Sequence, residues 1–145
     1  IGCYDCYEFV RKNVKPYIQH GVVGSEILKN EGFDKKVCNI ASIHLGVGIT
    51  KENIVANKLP LEEKDFVPTT LEEKLVAYAD NFHSKNGPKF MTFEEARNKL
   101  AKLWTLSPVS FDEFKTIFGE PELEEIEKKY SEWQEKTKEW LKKIE

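Results

Sequence analysis

At 145 residues the chain can hold one domain with a buried core, or one domain with a helical extension. Apolar residues at 40% and aromatics at 12% fit a globular protein, and no apolar run nears the roughly 20 residues that span a bilayer. A net charge of −3 carries no general affinity for nucleic acid or anionic membrane, so neither is an expected partner.

Arg11 and Arg97 are the two arginines among mostly lysine cations, and glutamate far outnumbers aspartate. With Met91 as the single methionine, this Lys/Glu enrichment resembles a thermophile's composition. The chain opens Ile1-Gly2-Cys3 and runs straight into a patterned segment, which is expected of the interior of a longer protein. No secretory leader is visible, and a cytoplasmic location is the expectation. Three cysteines argue against a secreted disulfide framework. Cys3 and Cys6 form a Cys-x-x-Cys pair, but Cys38 alone does not complete a zinc site. Their spacing with Tyr7, Val10 and Val14 reads as two small hydrophobes on a helix face, a redox or disulfide role being the alternative.

The periodicity is helical nearly throughout. A first helix is expected over Cys3 to Val14, stopping before Pro16. A second covers Tyr17 to Glu31, with His20, Val23, Gly24, Ile27 and Leu28 on one stripe and Gly32 as its stop. Asp34 caps a third, which carries Val37, Ile40, Ala41 and His44 on one face and ends at Gly46. Residues 46–69 are irregular: a glycine loop, a short helix from Thr50 to Lys58, and an extended connection from Pro60 to Pro68. Thr70 with Glu73, Thr92 with Glu95 and Ser110 with Glu113 match capping boxes, which predict helices over 71–84, 93–104 and 111–118. Asn86-Gly87-Pro88 and Ser107-Pro108 mark turns. From Pro121 to Glu145, Leu123, Ile126, Tyr130, Trp133, Thr137, Trp140 and Ile144 form an a/d seam, either docked on the domain or making an oligomer contact. The expected fold class is all-α.

Two imidazoles and a carboxylate stand out. His20 and His44 sit on apolar helical stripes, and Asp80 interrupts the apolar run from Leu75 to Ala79. On the fourth expected helix Leu71, Leu75, Tyr78 and Phe82 form one stripe, with Asp80 nearly opposite on a second buried side. Imidazole and carboxylate are ligands of divalent and first-row metals, and a buried carboxylate wants a cation beside it. His83 lies one turn beyond Asp80.

The blocks His20-Gly21-Val22-Val23-Gly24-Ser25-Glu26-Ile27-Leu28, Ile43-His44-Leu45-Gly46-Val47-Gly48-Ile49-Thr50 and Thr70 through Asn81 resemble HD-domain metal-dependent phosphohydrolases, most of all small archaeal-type members. The resemblance covers a little over half the chain. It implies an HD-domain-like helical bundle, with residues 1–105 as an N-terminally incomplete HD-like domain and 106–145 as a C-terminal helical extension. Asp80 matches the family's late aspartate, and His20 and His44 match its additional histidines, giving a metal set of His20, His44 and Asp80. The early histidine and the His-Asp doublet are missing. The doublet is often followed by Ile-Gly, so the chain is expected to begin just after it at Ile1-Gly2.

The implied chemistry is hydrolysis of a phosphate ester or nucleotide by a metal-activated water. The implied cofactor is a divalent metal, with Mg, Mn, Fe, Co, Ni and Zn not distinguished. Lys51 and Lys58 are candidates to meet substrate phosphate. The implied partner is a small phosphorylated molecule or nucleotide, with nucleic acid unexpected and homo-oligomerisation open to the C-terminal helix. The alternatives are a non-catalytic nucleotide- or metal-binding helical module, and a helical interaction protein. No catalytic residue beyond the ligands is assigned. P-loop, dinucleotide-binding and Gly-x-Ser-x-Gly patterns are missing from the sequence.

Overall fold

A computed structural model describes residues 17–83, 90–103 and 108–141. Seven α-helices occur among them: α1 (His20–Asn30), α2 (Lys35–Ile43), α3 (Lys51–Ala56), α4 (Leu71–Asp80), α5 (Phe93–Leu100), α6 (Pro108–Phe118) and α7 (Leu123–Leu141). A 3-10 turn, Tyr17–Gln19, leads into α1. Only isolated bridges accompany the helices, so the fold is all-α. The first expected helix with Cys3 and Cys6, and the turns at Asn86-Gly87-Pro88 and Ser107, lie outside the described residues.

Local chemistry sets the helix starts. Asp34 caps α2 by accepting from the Lys36 amide, and capping boxes open α4 at Thr70/Glu73 and α5 at Thr92/Glu95. Thr50 and Asn53 form a third box at the start of α3, with asparagine in the role glutamate plays elsewhere. The box expected at Ser110/Glu113 is not used, because α6 already begins at Pro108. Proline suits the first helical position, where its missing N–H costs nothing and its φ is already helical.

The α1–α2 pair is held closely by Gly21. A Cβ at that position would lie 2.8 Å from the Ala41 carbonyl oxygen and 3.5 Å from Cε1 of His44. Exchanging glycine for alanine in a helix normally gains about 1 kcal/mol. Here the obstacle is backbone, which no rotamer change relieves, so overpacking wins. Gly21→Ala is expected to destabilise by about 1–2 kcal/mol, read as a lower denaturant midpoint. An unchanged midpoint would show that α1 and α2 separate freely.

Two clusters form the core. One gathers Tyr78 and Phe82 of the α4 region, Phe93, Ala96 and Leu100 of α5, and Phe111 and Phe114 of α6 around Val47. The other joins Ile43, Ile49, Ile54 and Phe66 under the irregular connection. Ile49 and Phe66 exchange both backbone hydrogen bonds, 2.9 and 2.8 Å, which pins that connection across the domain. The buried side of α4 differs from the expected stripe. Glu73, Ala77 and Tyr78 are buried there, whereas Leu71 and Leu75 are 62% and 48% exposed. Glu73 is buried because it is fully bonded: beyond its capping role it accepts from Asn39 of α2 at 2.6 Å and from Thr69. These donors hold its carboxyl well below the usual range, at about 2, the backbone amides of Thr70 and Thr69 contributing most.

Candidate functional site

The sharpest polar feature of the described residues is a pair of facing imidazoles. His20 is the first residue of α1 and is buried, and His44 is the cap that ends α2. Close approach at Gly21 brings the two rings together across the helix pair, edge to face with centroids 5.0 Å apart. Tyr17 stacks on the other side of His20 at 4.5 Å.

Tautomers follow from the partners. The Nδ1 of His20 lies 2.8 Å from the Tyr17 carbonyl oxygen, and the Nδ1 of His44 lies 2.7 Å from that of Ala41. A carbonyl only accepts, so Nδ1 carries the proton in each neutral ring. Both Nε2 lone pairs are then left pointing at one another, 3.1 Å apart. Two facing lone pairs repel, and the arrangement is favourable only with a cation between them, either a proton or a metal ion. Burial, then the neighbouring His44, push the His20 pKa down to about 4, while Asp80 opposes them. Near neutral pH His20 is therefore a poor home for that proton. A backbone carbonyl holding Nδ1 also orients a metal-binding imidazole.

Asp80 does not complete a triad. It is exposed near the end of α4, close enough for its charge to raise the His20 pKa, but it is not the buried carboxylate expected from its apolar neighbours. The run Leu75-Val76 beside it is itself partly exposed, which removes the reason to expect burial. Among the described residues no three His, Cys, Asp or Glu side chains group as a metal site. Lys51 opens α3, with its amide bonded to Asp65, and Lys58 follows the helix at a φ of 50°. Both are exposed. His83 sits edge-on to Phe90 and Tyr130.

One residue that organises this region was not singled out from the sequence. Asn81 is buried and donates to the Gly46 carbonyl at 2.8 Å and the Ala77 carbonyl at 2.6 Å. It fastens the end of α4 to the loop that follows His44. That loop turns through Gly46 and Gly48 at φ of 59° and 111°, where a side chain would be strained. An asparagine just past the helix, with glycines elsewhere, was the available signal, but its partner is 35 residues away.

No family model and no solved structure matches the chain. An uncharacterized protein of Methanocaldococcus jannaschii is 58% identical over 64 residues, 44% of this chain and 37% of that protein. A tRNA (cytidine(56)-2′-O)-methyltransferase of Picrophilus torridus is 49% identical over 67 residues, 46% of this chain and 19% of the enzyme. The enzyme of the same name in Thermoplasma volcanium is 48% identical over 64 residues, 44% of this chain and 18% of the enzyme. The chain thus spans well under half the length of these curated relatives.

These relatives overturn the resemblance to HD-domain phosphohydrolases, and with it hydrolysis of a phosphate ester or nucleotide. Those with a stated activity are RNA methyltransferases. Nothing in the matches favours the alternative of a nucleotide- or metal-binding module without turnover. The expectation that nucleic acid is not a partner is corrected as well, since tRNA is the stated substrate of both enzymes. Net charge averages over the whole surface, so it does not exclude a local contact with nucleic acid. No helix among the described residues is long and apolar enough to cross a membrane.

Proposed function

We propose that this chain serves the 2′-O-methylation of tRNA, its helices contributing a part that engages the RNA. The stretch shared at 48–49% identity with two tRNA (cytidine(56)-2′-O)-methyltransferases carries the reading. Ribose methylation replaces a hydroxyl hydrogen by a methyl group, so one 2′ hydroxyl among many must be presented to the methyl donor. Affinity for tRNA and its orientation are therefore part of the chemistry. On this reading Lys51 and Lys58, exposed at the two ends of α3, meet backbone phosphate. Filter retention of a tRNA transcript with cytidine at position 56 tests it. Saturable binding at low salt that weakens as salt rises is expected. A chain that retains no transcript at low salt refutes the reading.

We also propose that the paired imidazoles take up one divalent metal ion, with Asp80 lending charge. The facing Nε2 atoms of His20 and His44 support this, each ring being oriented by a backbone carbonyl on its other nitrogen. Imidazole donors suit zinc, iron and nickel better than magnesium. When bound, such an ion would act as a Lewis acid on an oxygen ligand. Elemental analysis of chain purified without chelator should find about one metal per chain, and zinc or nickel should raise the melting temperature. In His44→Ala both effects should vanish. Metal-free protein that ignores added metal would dispose of the site.

A further inference from the structure

Helix α7 touches the rest of the domain through its first half. Leu123, Ile126 and Tyr130 are partly buried, and Tyr130 packs edge-on against Phe90 at 5.6 Å and His83 at 6.2 Å. Further along, Trp133 and Trp140 stand 72% and 59% exposed. At about 100° per residue, Trp140 lies only about 20° around the helix from Trp133. Lys129 and Lys136 fall within about 60° on the same side, in steps of four, three and four: Lys129, Trp133, Lys136, Trp140. Glu124, Glu127 and Glu135 are placed about 120° or more from Trp133, whereas Glu125 and Glu132 flank the lysines, at about 80° and 100°. The result is one exposed row of alternating cations and indoles along the helix.

We propose that this row is an RNA contact, taking unstacked bases of a tRNA loop on Trp133 and Trp140 and backbone phosphate on Lys129 and Lys136. The inference rests on the tRNA reading above and assigns its contact surface. Charge complementarity selects the occupant. A base stacks on an indole face whatever its sequence, and its phosphate lies within reach of a lysine one turn away. Lys129 holds an exposed ion pair with Glu125 at 2.6 Å, a bond weak enough for phosphate to replace.

The test measures binding of a tRNA transcript to the full chain, with a single-stranded and a duplex RNA as comparators. Wild type is expected to prefer the transcript and the single strand to the duplex. Trp133→Ala with Trp140→Ala should weaken transcript binding at least about tenfold, from the loss of two stacking platforms. Lys129→Gln with Lys136→Gln should instead lower the salt dependence, by roughly 1.4 in the log–log slope. Far-UV circular dichroism should be unchanged in both, since all four side chains are exposed. Transcript binding that persists unaltered in both variants overturns the row as contact while leaving the tRNA reading intact. Wild type that binds no transcript overturns both. If the tryptophan variant changes only the sedimentation of the chain, the row is a contact between copies and the RNA assignment is wrong.

Discussion

Phe111→Ala is expected to remove about 4 kcal/mol of stability, a large part of what a domain of this size possesses. Phe111 has no exposed surface. Its ring stacks on Phe93 at 5.0 Å with a 3° interplanar angle, and meets Tyr78 at 4.9 Å and Phe82 at 5.7 Å. It is therefore the shared contact of α4, α5 and α6. Truncation loses the transfer free energy of a benzyl group and leaves a cavity ringed by aromatics too rigid to collapse into it. Urea denaturation should show a much lower midpoint at unchanged slope. Phe111→Leu, which keeps most of the volume, should cost much less. Equal losses in the two variants would show that ring stacking, not filled volume, holds the three helices.

Acid should destabilise the metal-free chain in two separate windows. His20 titrates at about 4 when folded, against 6.5 when free, because burial and His44 disfavour its charged form. Between those values the unfolded chain binds a proton that the folded chain does not. Stability therefore rises with pH through this window and falls on acidification, by on the order of 3 kcal/mol at most. Glu73 acts lower, from 4.5 down to about 2, where protonation removes its bonds to Thr69, Thr70 and Asn39. Its contribution is present above 4.5 and lost below. Denaturation midpoints measured with chelator from pH 7 to 4 should follow the first window, and His20→Gln should flatten it. An unflattened profile would assign the loss to carboxylates instead.

Whatever depends on neighbours a few residues apart was legible in the sequence. Asp34, Thr70 and Thr92 announced helix starts because a capping side chain reaches its own backbone two or three residues on. The all-α class followed from periodicity, and so did the burial of His20, Val23 and Gly24, although Ile27 of the same expected stripe is exposed. The misreadings share a cause. Asp80 was judged by its apolar neighbours, yet Leu75 and Val76 are themselves partly exposed. Glu73 was recognised as a cap, but its bond to Asn39 spans 34 residues and joins α4 to α2. The partner class was inferred from net charge, which averages over the surface, whereas the relatives with a stated activity act on tRNA.

By itself, then, the sequence determined that this chain makes helices, where most of them start, and that His20 faces inward. Only the tertiary structure decided that two nitrogens 24 residues apart meet at 3.1 Å. That distance depends on how closely α1 and α2 approach, and the approach is permitted by the missing side chain of Gly21 against the Ala41 carbonyl. Capping energies are local and recur wherever the residues recur. The separation of two helices is a property of the packed whole.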